Sequence, residues 1–235
     1  MAQAYLEPVE VEQLEQAAKY LRNKLLIRLL FRLGCRISEV LGIGVDDIDF
    51  NRGTVAIEHL KMRIKLSCPQ CSTRLTKMAK FCPGCGVMVE KAVAEEKEHR
   101  YQRTLPVDKD TLAMLREYID RGGPVSTNGK HLLFGLKRSQ ASNIVKQCAA
   151  KAGLGPLVNP ETGELRGISP HRLRDAFAVH AIKVNDSTDS VRMLQEHLGH
   201  QSIVTTMKYR KVSGEEQKEW YEKLWGRREK NGNRA

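Results

Sequence analysis

Leu198-Gly199-His200-Gln201-Ser202-Ile203-Val204-Thr205-Thr206-Met207-Lys208-Tyr209 lies near the C-terminal end of a 235-residue chain. Its first residue closes a helix predicted over Thr188 to Leu198, and its second half opens another over Ile203 to Lys211. Between and within them stand an imidazole, hydroxyls, a lysine and a phenol in an otherwise apolar helical frame. Two earlier stretches have the same character: Gly34-Cys35-Arg36-Ile37-Ser38-Glu39-Val40-Leu41 and Ser169-Pro170-His171-Arg172-Leu173-Arg174. Taken singly, each has an ordinary reading. Arg36 with Glu39 fits a helix-surface ion pair, His171 with Arg174 one solvated face, His200 a helix end and Tyr209 a core-edge aromatic.

Taken together, they supply what attack on a phosphodiester without a metal requires. Two guanidiniums can grip nonbridging oxygens, two imidazoles can move protons and donate hydrogen bonds, and a phenol can act as nucleophile. At this point the sequence resembles the tyrosine recombinase (phage integrase) family. The matching stretches are Gly-Cys-Arg-Ile-Ser-Glu at 34–39, His-Arg-Leu-Arg-Asp-Ala-Phe-Ala-Val-His at 171–180 and the 198–209 stretch, in the order and spacing of that family's catalytic domain across roughly residues 8–212.

The resemblance implies roles. Arg36 and Arg174 clamp the scissile phosphate and stabilise a pentacoordinate transition state. His171 stands at the general-base position, His200 donates to a nonbridging oxygen, and Tyr209 is the nucleophile that forms a 3′-phosphotyrosine link. The family takes its general acid from a lysine on a β-hairpin; Lys61 fits best and Lys65 second. Glu39 orients Arg36. Asp175 follows Arg174 where many members carry a histidine, and the sequence attaches no catalytic consequence to it. No metal takes part in this chemistry, and a second DNA end is rejoined without ATP. The family works on double-stranded DNA as a tetramer. Its members usually carry an N-terminal helical clamp, which leaves two alternatives here: a longer protein of which this is a piece, or a minimal enzyme.

Between the predicted strands Thr54–Ile57 and Arg103–Val107 lies Cys68-Pro-Gln-Cys71, then ten residues, then Cys82-Pro-Gly-Cys85. Each C-x2-C turn presents two thiolates to one ion, and two facing turns close a tetrahedral site with no open position. Cys68, Cys71, Cys82 and Cys85 are therefore expected to hold a structural Zn2+, and the second turn is similar to those of zinc ribbons. Lys61, Arg63, Lys65, Arg74, Lys77 and Lys80 surround this segment, with no acidic residue from 61 through 80. That face reads as a phosphate-contacting surface. Cys35 and Cys148 stand alone and read as small core residues.

The rest of the chain is mostly helical: residues 8–33 as one helix closed by Gly34, then 108–122, 139–152, 170–184 and 188–198, with an irregular loop at 153–167. The expected fold class is mainly α (α+β), a helical core like the tyrosine recombinase catalytic domain with a small antiparallel sheet and an inserted four-cysteine zinc ribbon. Residues 1–65 and 100–212 form the discontinuous catalytic domain and 66–99 the ribbon. A helix at 213–225 packs on its own domain or docks on a neighbouring protomer, and 226–235 is a disordered tail.

Lys and Arg number 39 against 28 Asp and Glu, a formal charge of +11, which favours a polyanionic partner. The longest apolar run, Leu25 to Leu33, is interrupted by Arg28 and Arg32, which excludes a spanning helix there. With no signal-peptide pattern, a cytoplasmic setting is expected, with no membrane and no small-molecule substrate. The function expected is a site-specific DNA recombinase or integrase. The alternatives are a catalytically inactive DNA-binding protein derived from a recombinase, and a type IB topoisomerase-like or resolvase-like strand transferase.

Overall fold

Pro8 opens the first helix, α1 (Pro8–Ala17), at a position where its missing N–H has no partner to lose, and Glu10 Oε2 accepts the Glu7 N–H at 2.8 Å. The computed structural model describes residues 3–76, 78–127, 129–159, 162–210 and 221–222, the side chains of 59–65 and 95–101 excepted. The single helix expected over 8–33 is two. Ala18 and Tyr20 adopt extended backbone, and α2 (Leu21–Arg32) starts afresh and packs back on α1. The apolar spacing runs on through this break, which is why periodicity missed it. Arg28 of α2 consequently reaches Glu15 of α1 at 2.8 Å, whereas thirteen residues along one straight helix would separate them by about 20 Å.

After Gly34 come α3 (Ile37–Leu41), a short 3-10 turn and β1 (Ile48–Asp49). The chain then enters β2 (Thr54–Ser67), passes β3 (Arg74–Leu75) and returns along β4 (Val93–Pro106). β2 and β4 pair antiparallel without interruption from Thr54↔Pro106 to Ser67↔Val93. The strands expected at Thr54–Ile57 and Arg103–Val107 are thus only the base of a ladder fourteen residues long, roughly 45 Å by strand rise. Its outer part alternates on β2, with Leu60, Met62, Ile64 and Leu66 set between Lys61, Arg63 and Lys65, but the facing run of β4 from Glu95 to Arg100 is polar throughout and carries no apolar alternation. The cysteine segment caps the far end, where β3 pairs with β2 through Leu66↔Leu75 and a separate small cluster buries Cys68, Leu75 and Cys82.

Beyond β4, Asp108 caps α4 (Lys109–Asp120) by accepting the Thr111 N–H at 3.0 Å. A hairpin of β5 (Val125–Thr127) and β6 (Lys130–Leu132) leads to α5 (Arg138–Lys151). The loop expected at 153–167 contains a second small hairpin, β7 (Leu157–Val158) with β8 (Leu165–Arg166). Both hairpins are too short to show a period. The chain continues as α6 (Pro170–Val184), α7 (Thr188–Leu198) and α8 (Ile203–Met207), the last ending before the predicted Lys211.

One large core joins α1–α5, the base of the ladder and the buried face of α6, built on fully buried Leu14, Leu25, Leu30, Leu115 and Phe134. A smaller one joins α6, α7 and Tyr209 through Ala178, Val191, Leu194 and Leu198. The helix and tail expected at 213–235 lie outside the described residues, apart from Tyr221 and Glu222. No described helix is long and apolar enough to cross a membrane.

Candidate active site

Two glycines shape the chain around the site. Gly34 ends α2 with φ +55° and Gly199 ends α7 with φ +66°, a backbone conformation that side chains disfavour. A Cβ on Gly34 would stand 2.4 Å from a ring carbon of Phe177. The Gly34 turn and the end of α7 leave two carbonyls facing inward, Gly34 O and Leu198 O, and each accepts a hydrogen bond from Arg174 at 2.8 Å. The Arg174 side chain is 3% exposed, so these carbonyls fix a guanidinium already stripped of water.

Arg36 caps α3 from the other side. Its N–H donates to Glu39 Oε2 at 2.9 Å and its guanidinium to Glu39 Oε1 at 2.8 Å. Glu39 also accepts from Arg103 of β4 at 2.8 Å and stands 3.9 Å from Arg174. Burial would push this carboxyl up, but hydrogen bonds and charge from Arg103 and the hydrogen bonds of Arg36 outweigh it and hold Glu39 down to about 2. Glu39 therefore orients Arg36, as expected, and Arg103 as well. Arg103 Nε in turn donates to His197 O at 2.9 Å, tying the ladder to α7. His197 stacks on Phe177 and bonds Leu33 O at 3.0 Å, tying α7 to the end of α2.

His200 follows Gly199, and its backbone is held on both sides by Gln195, through N to Gln195 O at 3.0 Å and Gln195 Nε2 to His200 O at 3.1 Å. Arg174 donates to its Nε2 at 3.1 Å, so the proton of the neutral ring is on Nδ1, donated to Thr206 Oγ1 at 2.9 Å. Burial, reinforced by the Arg174 charge, pushes His200 down to about 4. Cys35 lies fully buried beneath these arginines, and burial raises its thiol to about 12, the behaviour of a core residue.

Tyr209 is buried, its ring stacked at 6.5 Å on His200 with the Lys208 ammonium 4.9 Å from its centroid. Its hydroxyl donates to Asp175 Oδ1 at 2.7 Å. The other oxygen of Asp175 accepts from Arg172 at 3.0 Å. Burial first, then the Asp175 charge and hydrogen bond, raise the phenol well above its usual value. Asp175, to which the sequence attached no consequence, is thus the direct partner of Tyr209. Among the described hydrogen bonds, none joins His171 to Tyr209. Desolvation holds the His171 ring below its usual value, with the Asp175 charge acting the other way.

Arg36, His171, Arg174, His200 and Tyr209 line one cleft of about 610 Å³, together with Lys208, Arg138 and Ser169. Three segments meet there, the first 135 residues before the second when counted from Arg36 to His171, the third 26 residues after the second when counted from Arg174 to His200. Lys61 and Lys65 are placed by backbone alone, on β2 opposite His99 and Glu95, and their side chains lie outside the description. The same holds for Arg63, and Lys77 is not described. Arg74 and Lys80 are exposed near the far end of the ladder.

There the four sulfurs of Cys68, Cys71, Cys82 and Cys85 lie within 4.8 Å of one another, none in a disulfide. Sγ–Sγ distances of 3.7 Å for Cys68 to Cys85 and 3.4 Å for Cys71 to Cys82 compare with the roughly 3.8 Å edge of a tetrahedron of Zn–S bonds. The Gly84 N–H points at Cys82 Sγ at 3.3 Å, and hydrogen bonding by Thr73 lowers the Cys71 thiol to about 6. This group of residues can hold a metal ion.

The phage integrase family model matches residues 4–81 and 86–216. Tyrosine recombinase XerD of Corynebacterium glutamicum is 28% identical over 206 residues, 85% of this chain and 51% of that protein. The chain spans about half the length of the curated relatives it matches. Among solved structures, XerA recombinase superposes with a TM-score of 0.60 at 18% identity, covering 97% of this chain and 67% of the other. The Tn1549 transposon integrase in complex with a circular intermediate DNA superposes with a TM-score of 0.62 at 17% identity, covering 95% and 66%.

Proposed function

This chain belongs to the phage integrase family, and from that premise we propose that it is a site-specific DNA recombinase that cuts and rejoins strands through a 3′-phosphotyrosine intermediate. The observation that carries this is the single cleft in which Arg36, Arg174, His171, His200 and Tyr209 meet. Arg36, partly exposed and braced by Glu39, and Arg174, buried and braced by two carbonyls, would each donate to nonbridging oxygens of the scissile phosphate. An arriving phosphate offers Arg174 a charged acceptor in place of His200 Nε2. That frees Nε2 to take a proton and donate to the same phosphate. Tyr209 attacks phosphorus and keeps the bond energy in the ester link, so religation by a 5′-hydroxyl needs no ATP. His171, at the position that the resemblance gives to a general base, lines the same cleft, and Lys61 is assigned the proton for the departing 5′-oxygen.

The division into a catalytic domain (1–65 and 100–212), an inserted ribbon (66–99) and a C-terminal helix (213–225) belongs to the same reading. Zn2+ bound by Cys68, Cys71, Cys82 and Cys85 would supply structure at the far end of the ladder, where the buried apolar cluster is small. The ribbon's exposed Arg74 and Lys80 favour contact with double-stranded DNA away from the cleft. A tetramer on DNA, with the terminal helix docked on a neighbour, would coordinate paired cleavages.

The test is covalent trapping. The protein is mixed with nicked and supercoiled DNA, including the DNA that flanks its coding sequence, and denatured; protein fixed to DNA is scored beside Tyr209→Phe. An adduct that vanishes in Tyr209→Phe supports the reading. Binding without any adduct favours a DNA-binding protein that has lost catalysis.

A further inference from the structure

We propose that Asp175 is a catalytic residue, the group that takes the proton from Tyr209 as the nucleophile attacks. This rests on the recombinase reading and goes beyond it, since that reading leaves the proton to His171. The geometry is specific. Tyr209 Oη and Asp175 Oδ1 are 2.7 Å apart, a short charge-assisted bond between a reacting atom and a carboxylate that is itself 4% exposed. Arg172 holds Oδ2 at 3.0 Å, so both oxygens of the carboxylate are engaged and Oδ1 is kept facing the phenol. Asp175 also follows Arg174 directly on α6, so one turn of one helix carries both a phosphate ligand and the acceptor for the nucleophile's proton.

The charges facing this pair explain why a carboxylate belongs there. His171, Arg172 and Arg174 approach from α6, Lys208 lies over the phenol ring from the end of α8, His200 stacks on that ring, and Tyr5 comes from the N-terminal segment. Before DNA arrives, the hydrogen bond to Asp175 keeps Tyr209 protonated, and burial acts in the same direction. In the reaction the Tyr209 Oη–H bond breaks and its proton passes to Asp175 Oδ1. The Oη–P bond forms while P–O5′ breaks, and O5′ leaves with the proton supplied by the general-acid lysine. The products are a phosphotyrosine diester, a neutral Asp175, a neutral lysine and a free 5′-hydroxyl, which balances atoms and charge.

The experiment compares single-turnover adduct formation by wild type, Asp175→Asn and Asp175→Glu on the same nicked duplex from pH 6.5 to 9.5, with DNA binding and circular dichroism measured in parallel. Asparagine still accepts the phenolic hydrogen bond but cannot hold the proton. Its adduct formation should fall about 10²–10⁴-fold near pH 7 with DNA binding retained. The deficit should shrink about tenfold per unit as pH rises, because hydroxide then removes the proton, and glutamate should restore part of the rate. Placing a bridging sulfur at the 5′ leaving position, which removes the need for a general acid, should leave the Asp175→Asn deficit in place. Adduct formation as fast as or faster than wild type would overturn the proposal and make the contact a restraint on the resting tyrosine. A deficit equal at every pH would also overturn it, by assigning Asp175 a purely structural part. No adduct with the wild-type chain would bring down the recombinase reading itself, and this proposal with it.

Discussion

Glutamine in place of Glu39 keeps the side chain's volume and removes the one charge that Arg36, Arg103 and Arg174 share. The Glu39 side chain is 1% exposed and makes close contacts to two guanidiniums, so little solvent would replace what is lost. Holding the carboxyl at about 2 instead of its ordinary 4.5 corresponds to about 3 kcal/mol of preference for the charged form in the folded state. That agrees with the roughly 3–5 kcal/mol lost when one partner of a buried ion pair is removed. Because the folded value is depressed, the stabilisation is fully present above pH 4.5 and disappears as pH falls through about 2. Urea unfolding of Glu39→Gln at pH 7 should show a loss of about 3 kcal/mol, and its melting midpoint should fall by roughly 6–12 °C for a chain of this size. The gap between wild type and variant should close as both are titrated from pH 4.5 towards 2. A loss below about 1 kcal/mol at pH 7, or a gap unchanged at pH 2.5, would refute the claim that Glu39 organises the arginines.

Other consequences follow from the same geometry. In the free protein the His200 ring should titrate near pH 4 with its proton on Nδ1, and Arg174→Met should move it towards 6.5; ¹⁵N chemical shifts of the imidazole read both. Gly34→Ala should cost about 2–4 kcal/mol in chemical unfolding, from a disfavoured φ and a Cβ driven into Phe177, and should weaken cleavage by moving the carbonyl that holds Arg174. Purified protein should contain one zinc per chain by elemental analysis, and chelation should abolish the ordered fold of 68–92 while the helical melting transition is unchanged, because the cysteine cluster is separate from the main core. Joining Ser67 to Val93 through Asn-Gly should leave the core folded but reduce DNA affinity and flatten its salt dependence by about one unit of slope per lost basic contact.

The motifs at 34–39, 171–180 and 198–209 were legible because glycine, arginine, histidine and tyrosine stood out against apolar helices. The two glycines carried more information than their place in the motifs, since their left-handed turns aim the carbonyls that grip Arg174. Arg103 was not legible: it sits in a strand whose neighbours read only as β-formers, and its partner Glu39 is 64 residues earlier. Asp175 was passed over for a different reason. A carboxylate one residue after an arginine on a helix reads as surface, and only the packing of Tyr209 against α6 gives it a partner. The break after Ala17 escaped because it does not change the apolar period. The ladder's length was half legible, since Leu60, Met62, Ile64 and Leu66 alternate with basic residues on β2 while the partner run from Glu95 to Arg100 shows no strand pattern. A helix can stop without a proline, and a two-stranded ladder can continue through charged residues, since its bonds are made by backbone.

The charges of the cleft bear on why such a site can work on phosphorus without a metal. Arg36, Arg103 and Arg174 carry three positive charges against the single carboxylate of Glu39, while Arg172 and Asp175 cancel each other. Among these groups the excess is +2, to which Lys208 and Arg138 in the cleft wall add. A phosphodiester brings −1. When the Tyr209 proton passes to Asp175, the phosphorane carries −2 and Arg172 is left uncancelled, so the total charge is unchanged but negative charge has moved from Asp175 onto the oxygens that Arg36 and Arg174 face. The backbone carbonyls of Gly34 and Leu198 hold Arg174 in place beforehand. Preorganised charge of this kind favours the transition state over the bound substrate, which is what catalysis requires. It also means that the empty site repels itself, so a nonhydrolysable phosphate mimic such as vanadate should stabilise the protein against heat. Arg36→Ala, which lowers the excess to +1, should lose most of that stabilisation, and an Arg36→Ala protein stabilised as strongly as wild type would contradict this account of the charges.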